Sequence, residues 1–350
     1  MTVLGFQVQR QAYPGWLVEL AQRCKPCWVK LINPAETWEP LGPGLKYLAR
    51  FHWGVDEPDR KMVFDGAAGA AKWAEVTLRR LQRVAYCKYV EGPNELHLTT
   101  TEQAKQVAEF DIAAARRCRE YGYTYIGSSH GVGWPQFGLV PILAQAWHAL
   151  GFLNVHEYEL HDEWTWDGAT IGRHRELLHI AEMSHVDTSA IKVVLGEYGY
   201  DRNGQRYDGW RCRPNMSDER YANELAANIS KAAEDPRVVA VLPFTVSPEG
   251  DWKSFEMTER VTRMLVDKLA KPQDLHAQID AALRAVEIPQ NVASAFYVYG
   301  RSHGWEPMSG ETDVNGYRCQ RWYSPEDQIK HAVYCKVGDW GNVSHFDTDN

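Results

Sequence analysis

Short apolar runs alternate along the first part of the chain with segments of helical periodicity. Each run is rich in β-branched or aromatic residues and is followed by a polar or Gly/Pro loop, which is the pattern of a buried strand. The segments between the runs space their apolar residues three and four positions apart, as an amphipathic helix does. The predicted strands are 3–9, 28–34, 47–53, 86–92, 123–130, 152–160, 191–199 and 238–246.

Eight strand–helix units in succession predict an α/β fold, and this number is typical of a (β/α)8 TIM barrel. A doubly wound open sheet is the alternative, but its first strand usually leads into a Gly-rich phosphate-binding loop. Here the first strand runs into QRQAYPGW, which contains no GxGxxG motif. The barrel is therefore the preferred interpretation.

The pattern changes near the C-terminal end of the chain. Segment 273–289 has the periodicity of one more amphipathic helix. Beyond it, short runs alternate apolar with polar residues between Gly-rich turns, as antiparallel strands with one buried face do. We predict a barrel domain at 1–272, a linking helix at 273–289 and a small β-rich unit at 290–350. This unit is either an independent module or a cap on the barrel.

Composition and charge narrow the class of protein. Of the 350 residues, 44% are hydrophobic and 24% are charged, as in a globular protein. The net charge of −8 argues against a nucleic-acid binder, which needs a basic surface to neutralise phosphates. No apolar run is long enough to cross a membrane, and the N-terminal residues lack the features of a secretory signal. We expect a protein that is cytoplasmic as synthesised, or one released without a signal, as a phage-like lysin or by non-classical export.

The cysteines do not form a recognisable site. Their number, seven, is odd, which suits a reducing compartment better than a disulfide framework. Cys24 and Cys27 form a lone CxxC motif, but a zinc site needs more ligands and a redox motif needs a thioredoxin-like context. We predict a structural role for them, and we expect neither a metal nor a cofactor.

Polar and aromatic residues gather at the predicted C-terminal ends of the strands, where barrels of this kind hold their active sites. Two of them are glutamates, Glu95 after the fourth strand and Glu197 at the seventh. These strands lie nearly opposite each other around a ring of eight, so their carboxylates can face one another. Glycoside hydrolysis needs such a pair, with one proton donor and one nucleophile or base. The acidic residues after the sixth strand are instead expected to be solvated: Glu157, Glu159, Asp162 and Glu163.

Asn94-Glu95 on the fourth strand and Glu197 on the seventh resemble the corresponding positions of the clan A glycoside hydrolases, which are retaining enzymes on (β/α)8 barrels. The resemblance covers residues 1 to about 270 of the chain. It implies that Glu95 is the acid/base and Glu197 the nucleophile, and that Asn94 holds the sugar 2-hydroxyl. It also implies that His156 or Tyr158 on the sixth strand touches the nucleophile.

The chain departs from the family pattern at two places. Leu96 follows Glu95 where many members have Pro. The Trp often found at the end of the eighth strand is displaced to Trp252 or replaced by Phe244. These departures affect the prediction of which sugar binds in the central subsite more than the prediction of the reaction itself.

Tryptophan is unusually abundant, with 14 residues, and several lie in the strand-end loops. Their flat apolar faces suit the C–H face of a sugar ring, and an extended row of them suits a polymer. Histidines at the strand ends can hydrogen-bond sugar hydroxyls. We therefore expect a carbohydrate substrate. The candidate substrate-binding residues are Asn94, His52, Trp53, His130, Trp134, His156, Tyr158, Trp164 and Trp252.

Two other functions remain open on the same barrel. A metal-dependent hydrolase would use the strand-end histidines, although the His-x-His pattern common at the first strand of such enzymes is replaced here by Gln7-Val8-Gln9. A non-catalytic carbohydrate-binding barrel would use the C-terminal unit for recognition. The sequence leaves the sugar, its linkage, endo or exo action and the oligomeric state open.

Overall fold

A computed structural model of the chain shows two compact units, residues 1–269 and 270–350. The predicted linking helix at 273–289 lies outside the described residues, so the domain boundaries remain a prediction. The described residues are 3–9, 13–25, 27–36, 40–53, 58–161, 163–202, 207–248, 250–269, 299–300, 302–308, 312–314, 317–325, 329–336 and 343–348.

The first unit contains eight strands, each at a position predicted from the sequence. They pair in parallel and in consecutive order, β1 to β5 in one sheet and β6 to β8 in another. The strands are β1 (Phe6–Val8), β2 (Trp28–Ile32), β3 (Lys46–Arg50), β4 (Tyr89–Val90), β5 (Thr124–Tyr125), β6 (Phe152–Glu159), β7 (Lys192–Tyr200) and β8 (Val238–Pro243).

Regular pairing does not run all the way round these eight strands. Among the described residues, the two sheets are joined by isolated parallel bridges, Leu4 to Val241 and Val8 to Val246 on one side and His130 to Val155 on the other. At the second seam β5 ends at Tyr125, and its backbone hydrogen bonds to the β4 segment continue as far as Gly127, whose φ of +97° interrupts an extended strand. The predicted parallel α/β order is therefore present, but the expected closed barrel ladder is not.

Helices follow most strands, as the periodicity predicted. Helix α4 shows why they begin where they do. The hydroxyl of Thr100 accepts from the backbone N–H of Gln103, and the Gln103 side chain accepts from the backbone N–H of Thr100, which together form a capping box. Among the described residues, no helix is both long and apolar enough to cross a membrane. The helices are α1 (Gly15–Arg23), α2 (Pro58–Val63), α3 (Gly66–Arg83), α4 (Thr101–Glu120), α5 (Val140–Leu150), α6 (Arg173–Met183), α7 (Asp218–Ala232) and α8 (Glu259–Leu269).

Strand alternation separates two faces of the sheets. One face packs against the helices in a large apolar core. On the other face a smaller apolar cluster includes Trp28 on β2 and Leu48 on β3. Lys30 and Arg50 come two residues later on the same strands, so they lie on the same face and one step nearer the C-terminal ends. The inner face is therefore apolar at one end and charged at the other.

The second unit is a small antiparallel sheet, as its alternating pattern predicted. Strands β10 to β13 pair in order, and β9 pairs with β11. Its core includes Trp305, Trp322, Val333 and Cys335. The strands are β9 (Glu306–Pro307), β10 (Thr312–Val314), β11 (Tyr317–Tyr323), β12 (Lys330–Lys336) and β13 (Ser344–Thr348).

Candidate active site

A β-bulge on β7 directs Glu197 to the inner face. Val155 and His156 on β6 are opposite Leu195 and Glu197, so Gly196 is an extra residue in the ladder. Without it, Glu197 would share the face of Leu195, which packs in the core beneath the helices. Glycine fits here without moving a neighbour, whereas a Cβ atom at position 196 would lie 2.4 Å from Oδ1 of the buried Asn154.

Glu197 is buried and has donors on both carboxylate oxygens. Arg50 Nη1 donates to Oε1 at 2.9 Å, and the Tyr158 hydroxyl donates to Oε2 at 2.9 Å. Lys30 Nζ lies 3.6 Å from Oε1, and Gln7 Nε2 donates to the same oxygen at 3.4 Å. Two cations and two neutral donors thus surround the Glu197 carboxylate.

Glu95 lies in the loop after β4 and is held by Ser129. Its backbone has a φ of +49°, an uncommon conformation for a residue other than glycine. The backbone N–H of Glu95 donates to Ser129 Oγ at 2.9 Å, and this hydroxyl donates to Asn94 Oδ1 at 3.0 Å. Ser129 therefore fixes both residues of the Asn-Glu pair. The Glu95 side chain is 33% exposed, whereas that of Glu197 is 8% exposed, so a ligand can reach Glu95.

His156 lies between the two carboxylates. Its Nδ1 atom is 3.2 Å from Glu95 Oε1 and 3.6 Å from Glu197 Oε2. One oxygen of each carboxylate and one nitrogen of His156 all lie within 4.8 Å of one another. The strand positions of Glu95 and Glu197 thus bring their side chains together, with an imidazole in contact with both.

The charges around His156 control its protonation. Burial disfavours the charged imidazole, but Glu197, Glu91 and Glu95 outweigh burial and raise the pKa of His156. For Glu95, burial raises the pKa, but the hydrogen bond and charge of His156 and the nearby Arg50 and Arg60 lower it below its usual range. Both shifts favour a proton on His156 rather than on Glu95.

Glu95, His156 and Glu197 are also the one group of three such side chains, among the residues the structure describes, close enough to share a metal ion. Arg50 and Lys30 lie 2.9 and 3.6 Å from a Glu197 oxygen, however, and their positive charges would repel a divalent cation. We therefore assign no metal ligand here.

Two aromatic groups border the carboxylates. Tyr158, which contacts Glu197, packs in a cluster with Phe244, Phe255 and the partly exposed Trp252. Trp134 stacks on the exposed ring of His97, with centroids 5.2 Å apart. The loop through Gly131 places this stack beside Glu95, because a Cβ atom at Gly131 would lie 3.2 Å from His97 Nε2 and 3.4 Å from Glu95 Cβ.

The other predicted binding residues have different surroundings. His130 is fully buried against Trp147, and burial together with His156 and Arg173 lowers its pKa to about 3. Trp53 lies under the Arg80 guanidinium, and the backbone N–H of exposed His52 donates to Asn33. Trp164 stacks on Tyr198 and donates to Glu224 on α7 at 3.0 Å. None of the contacts described for these four residues is with Glu95 or Glu197, and their predicted role in binding remains a prediction.

The expectation of solvated carboxylates after the sixth strand is wrong for two residues. Strand β6 continues to Glu159, and Glu157 points to the helix side because it alternates with His156. Glu157 accepts from His174 Nδ1 at 2.7 Å and from the backbone N–H groups of Gly172 and His174, which begin α6. Glu159 is likewise buried and accepts from backbone N–H groups of its own loop. Glu163 is exposed, as expected, and Asp162 lies outside the described residues.

Sequence reasoning missed four residues of the cluster: Gln7, Lys30, Arg50 and Glu91. Lys30 and Glu91 are fully buried, with Nζ and Oε2 2.7 Å apart. The available signal was a charged residue inside an apolar strand, as in WVKLI and YVEG. Such residues are rarely buried unless they are paired.

No protein-family model and no curated protein sequence matches the chain. Similar solved structures include a glucosidase from Croceicoccus marinus, with 12% identity, a TM-score of 0.46, and 95% of this chain and 75% of that chain covered. A GH18 chitinase from Pseudoalteromonas aurantia has 13% identity, a TM-score of 0.41, and coverage of 75% and 99%. A GH51 arabinofuranosidase from Xanthomonas axonopodis pv. citri has 12% identity, a TM-score of 0.38, and coverage of 84% and 61%. Because all three TM-scores are below 0.5, we base the functional assignment on the side chains of the site.

Proposed function

We propose that the chain is a retaining glycoside hydrolase that cleaves an oligosaccharide or polysaccharide by double displacement. The supporting observation is that one carboxylate oxygen of Glu95 lies within 4.8 Å of one carboxylate oxygen of Glu197. Retaining enzymes hold their two carboxyl groups about 5 to 5.5 Å apart, whereas inverting enzymes separate them by about 6.5 to 9.5 Å to admit a water molecule. The geometry therefore favours direct attack by one carboxylate.

Glu197 is the nucleophile in this proposal. Arg50, Lys30 and Tyr158 hold its carboxylate, and they would stabilise it as the leaving group when the glycosyl–enzyme ester is hydrolysed. Its low exposure keeps water from competing for the carboxylate until a sugar is bound.

Glu95 is the acid/base and draws its proton from the pair that it forms with His156. A sugar that covers the exposed part of Glu95 would remove water from this carboxylate and raise its pKa. The proton can then move across the 3.2 Å between His156 Nδ1 and Glu95 Oε1, and on to the glycosidic oxygen. In the second step, Glu95 takes a proton from the attacking water.

Asn94 and the bordering aromatic groups would bind the sugar. With Oδ1 of Asn94 engaged by Ser129, its Nδ2 group can donate to a hydroxyl of the sugar that is attacked. Trp252 beside Tyr158 and the Trp134–His97 stack beside Glu95 offer apolar faces close to the two carboxylates.

The test uses a panel of 4-nitrophenyl glycosides and polysaccharides, including peptidoglycan. Glu95→Gln and Glu197→Gln should each lower the rate on a substrate that the wild type cleaves by at least about a hundredfold, because each removes a group that acts on the reacting atoms. Glu163→Gln, in an exposed loop, is the matched control and should retain the wild-type rate. Azide should rescue Glu95→Ala and Glu197→Ala to give glycosyl azides of opposite anomeric configuration.

Near wild-type rates in both Gln variants would exclude the catalytic pair. Saturable oligosaccharide binding without turnover, unchanged by either substitution, would instead support a non-catalytic binding protein.

A further inference from the structure

Lys30 and Glu91 form a fully buried ion pair beneath the two carboxylates of the proposed active site. Lys30 lies in the middle of β2, and Glu91 directly follows β4. Their side chains have no exposed surface, and Nζ lies 2.7 Å from Oε2. A buried ion pair seldom gains enough Coulomb energy to repay its desolvation, and well-packed apolar residues often replace one without loss of stability. Stability alone therefore gives little reason for this pair.

Each member of the pair contacts a different part of the site. Lys30 Nζ donates to the carbonyl oxygen of Gly196 at 3.0 Å and lies 3.6 Å from Glu197 Oε1. Glu91 Oε1 lies 3.8 Å from Nε2 of His156, on the opposite side of the imidazole from Glu95 and Glu197. The pair thus connects the bulge that carries Glu197 with the ring that contacts Glu95.

We propose that Glu91, fixed by Lys30, is a positioning residue that orients His156 and keeps its Nε2 atom protonated, so that Nδ1 can share a proton with Glu95. A carboxylate on each side matches both N–H groups of a protonated imidazole. The use of this proton in catalysis rests on the proposed glycosidase function, whereas the effect of Glu91 on His156 does not.

The groups around His156 act in opposite directions. Glu197 on β7, Glu91 after β4 and Glu95 in the following loop favour the protonated ring, while burial and Lys30 on β2 oppose it. On the β5 side, fully buried His130 carries a pKa of about 3 and stays neutral at physiological pH. Burial also raises the pKa of Tyr158, which shares β6 and therefore stays protonated. Removal of the Glu91 charge should thus weaken proton binding by His156, and it also leaves Lys30, whose charge opposes protonation of the ring, without its nearest carboxylate.

The test is a titration of the imidazole nitrogens in the full-length chain, labelled with nitrogen-15 and followed by NMR. His156→Gln identifies the signals of His156 among those of the 13 histidines. Glu91→Gln should lower the titration midpoint of His156 by about 1 to 2 pH units, because an adjacent charge shifts a pKa by about this amount. Glu91→Asp keeps the charge but places it farther from Nε2. The titration midpoint of His156 in this variant should lie between those in the wild type and in Glu91→Gln. Glu91→Asp replaces the Gln variant if that protein does not fold.

Glu157→Gln is the matched control. Glu157 is also a buried carboxylate paired with a histidine, and it neighbours His156 in sequence, but it contacts His174. This variant should leave the titration midpoint of His156 in place. A His156 midpoint that moves by less than about 0.3 units in the folded Glu91 variant would overturn the inference. The titration needs no turnover, so an absence of glycosidase activity would overturn the proposed function and leave the role of Glu91 to be judged separately.

Discussion

Replacement of Asp111 by Asn should change how the free energy of unfolding depends on pH. Asp111 lies on α4 with its carboxylate buried behind the loop that carries Ser129. Its Oδ1 atom accepts from the Tyr125 hydroxyl at 2.6 Å, from Ser128 Oγ at 2.7 Å and from the Ser128 backbone N–H at 3.2 Å. Burial nevertheless outweighs these three hydrogen bonds and raises the pKa of Asp111 from 3.8 to about 6.

The sign of the effect follows from this raised pKa. The folded chain binds the Asp111 proton more tightly than the unfolded chain does, so the resulting stability is fully present below the unfolded pKa and is lost as pH rises through about 6. A shift of about 2 units corresponds to about 3 kcal/mol, of which about 2 kcal/mol is lost between about pH 4.5 and 7.5. Asn does not titrate, and its Oδ1 atom can accept the same three hydrogen bonds.

Urea unfolding followed by tryptophan fluorescence measures the effect. The stability of Asp111→Asn minus that of the wild type should increase by about 2 kcal/mol between about pH 4.5 and 7.5. Asp267→Asn is the control, because Asp267 is exposed and pairs with Arg23 at the surface, where an ion pair contributes less than about 1 kcal/mol. The reasoning would be refuted if the difference in free energy of unfolding between Asp111→Asn and the wild type depended on pH no more than the same difference for Asp267→Asn does.

Further predictions concern the rim of the site. Tyr158→Phe removes the hydrogen bond to Glu197 Oε2, and a hydrogen bond to a charged acceptor is worth about 1.5 to 3 kcal/mol. We expect kcat/KM on an aryl glycoside to fall by about 10- to 100-fold; an unchanged kcat/KM would contradict the role of Tyr158. Trp134→Ala should raise KM for an oligosaccharide by about tenfold, since it removes an apolar face beside Glu95. Trp164→Phe removes the hydrogen bond to Glu224 and should lower the free energy of unfolding by about 1 to 2 kcal/mol; an unchanged KM for Trp134→Ala, or an unchanged stability for Trp164→Phe, would contradict the corresponding prediction.

The order of the strands was predictable because each buried strand is an apolar run followed by a turn and a helix. That order places the ends of β4 and β7 at the same edge, since the C-terminal ends of parallel strands meet there, but the bulge at Gly196 is also needed to turn Glu197 to the inner face. The seams between the sheets were not predictable from the same pattern. The break after Tyr125 depends on the backbone conformation of Gly127, which apolar periodicity does not encode.

The polar residues divide according to strand alternation rather than hydrophobicity. His156 and Glu157 are neighbours in sequence and both are buried, yet one faces the inner cluster and the other caps α6. Lys30 and Arg50 were missed because a charged residue in a strand is usually solvated. Their position is explained by the inner face of the sheets. This face has an apolar cluster at one end, and at the other end carboxylates that pair with Lys30 and Arg50.

The charges of the cluster remain balanced through the proposed reaction. When the partly exposed Arg60, 3.9 Å from Glu95, is left out of the count, Glu91, Glu95 and Glu197 carry three negative charges, and Lys30, Arg50 and the proton shared by His156 and Glu95 carry three positive ones. When the shared proton moves to the leaving oxygen, Glu197 loses its own charge by forming the ester, so the cluster again has no net charge. A divalent metal ion would add two positive charges to this neutral set at either stage. Lys30 and Arg50 therefore let a buried site pass through both states without an uncompensated charge, which in a low-dielectric interior would be costly.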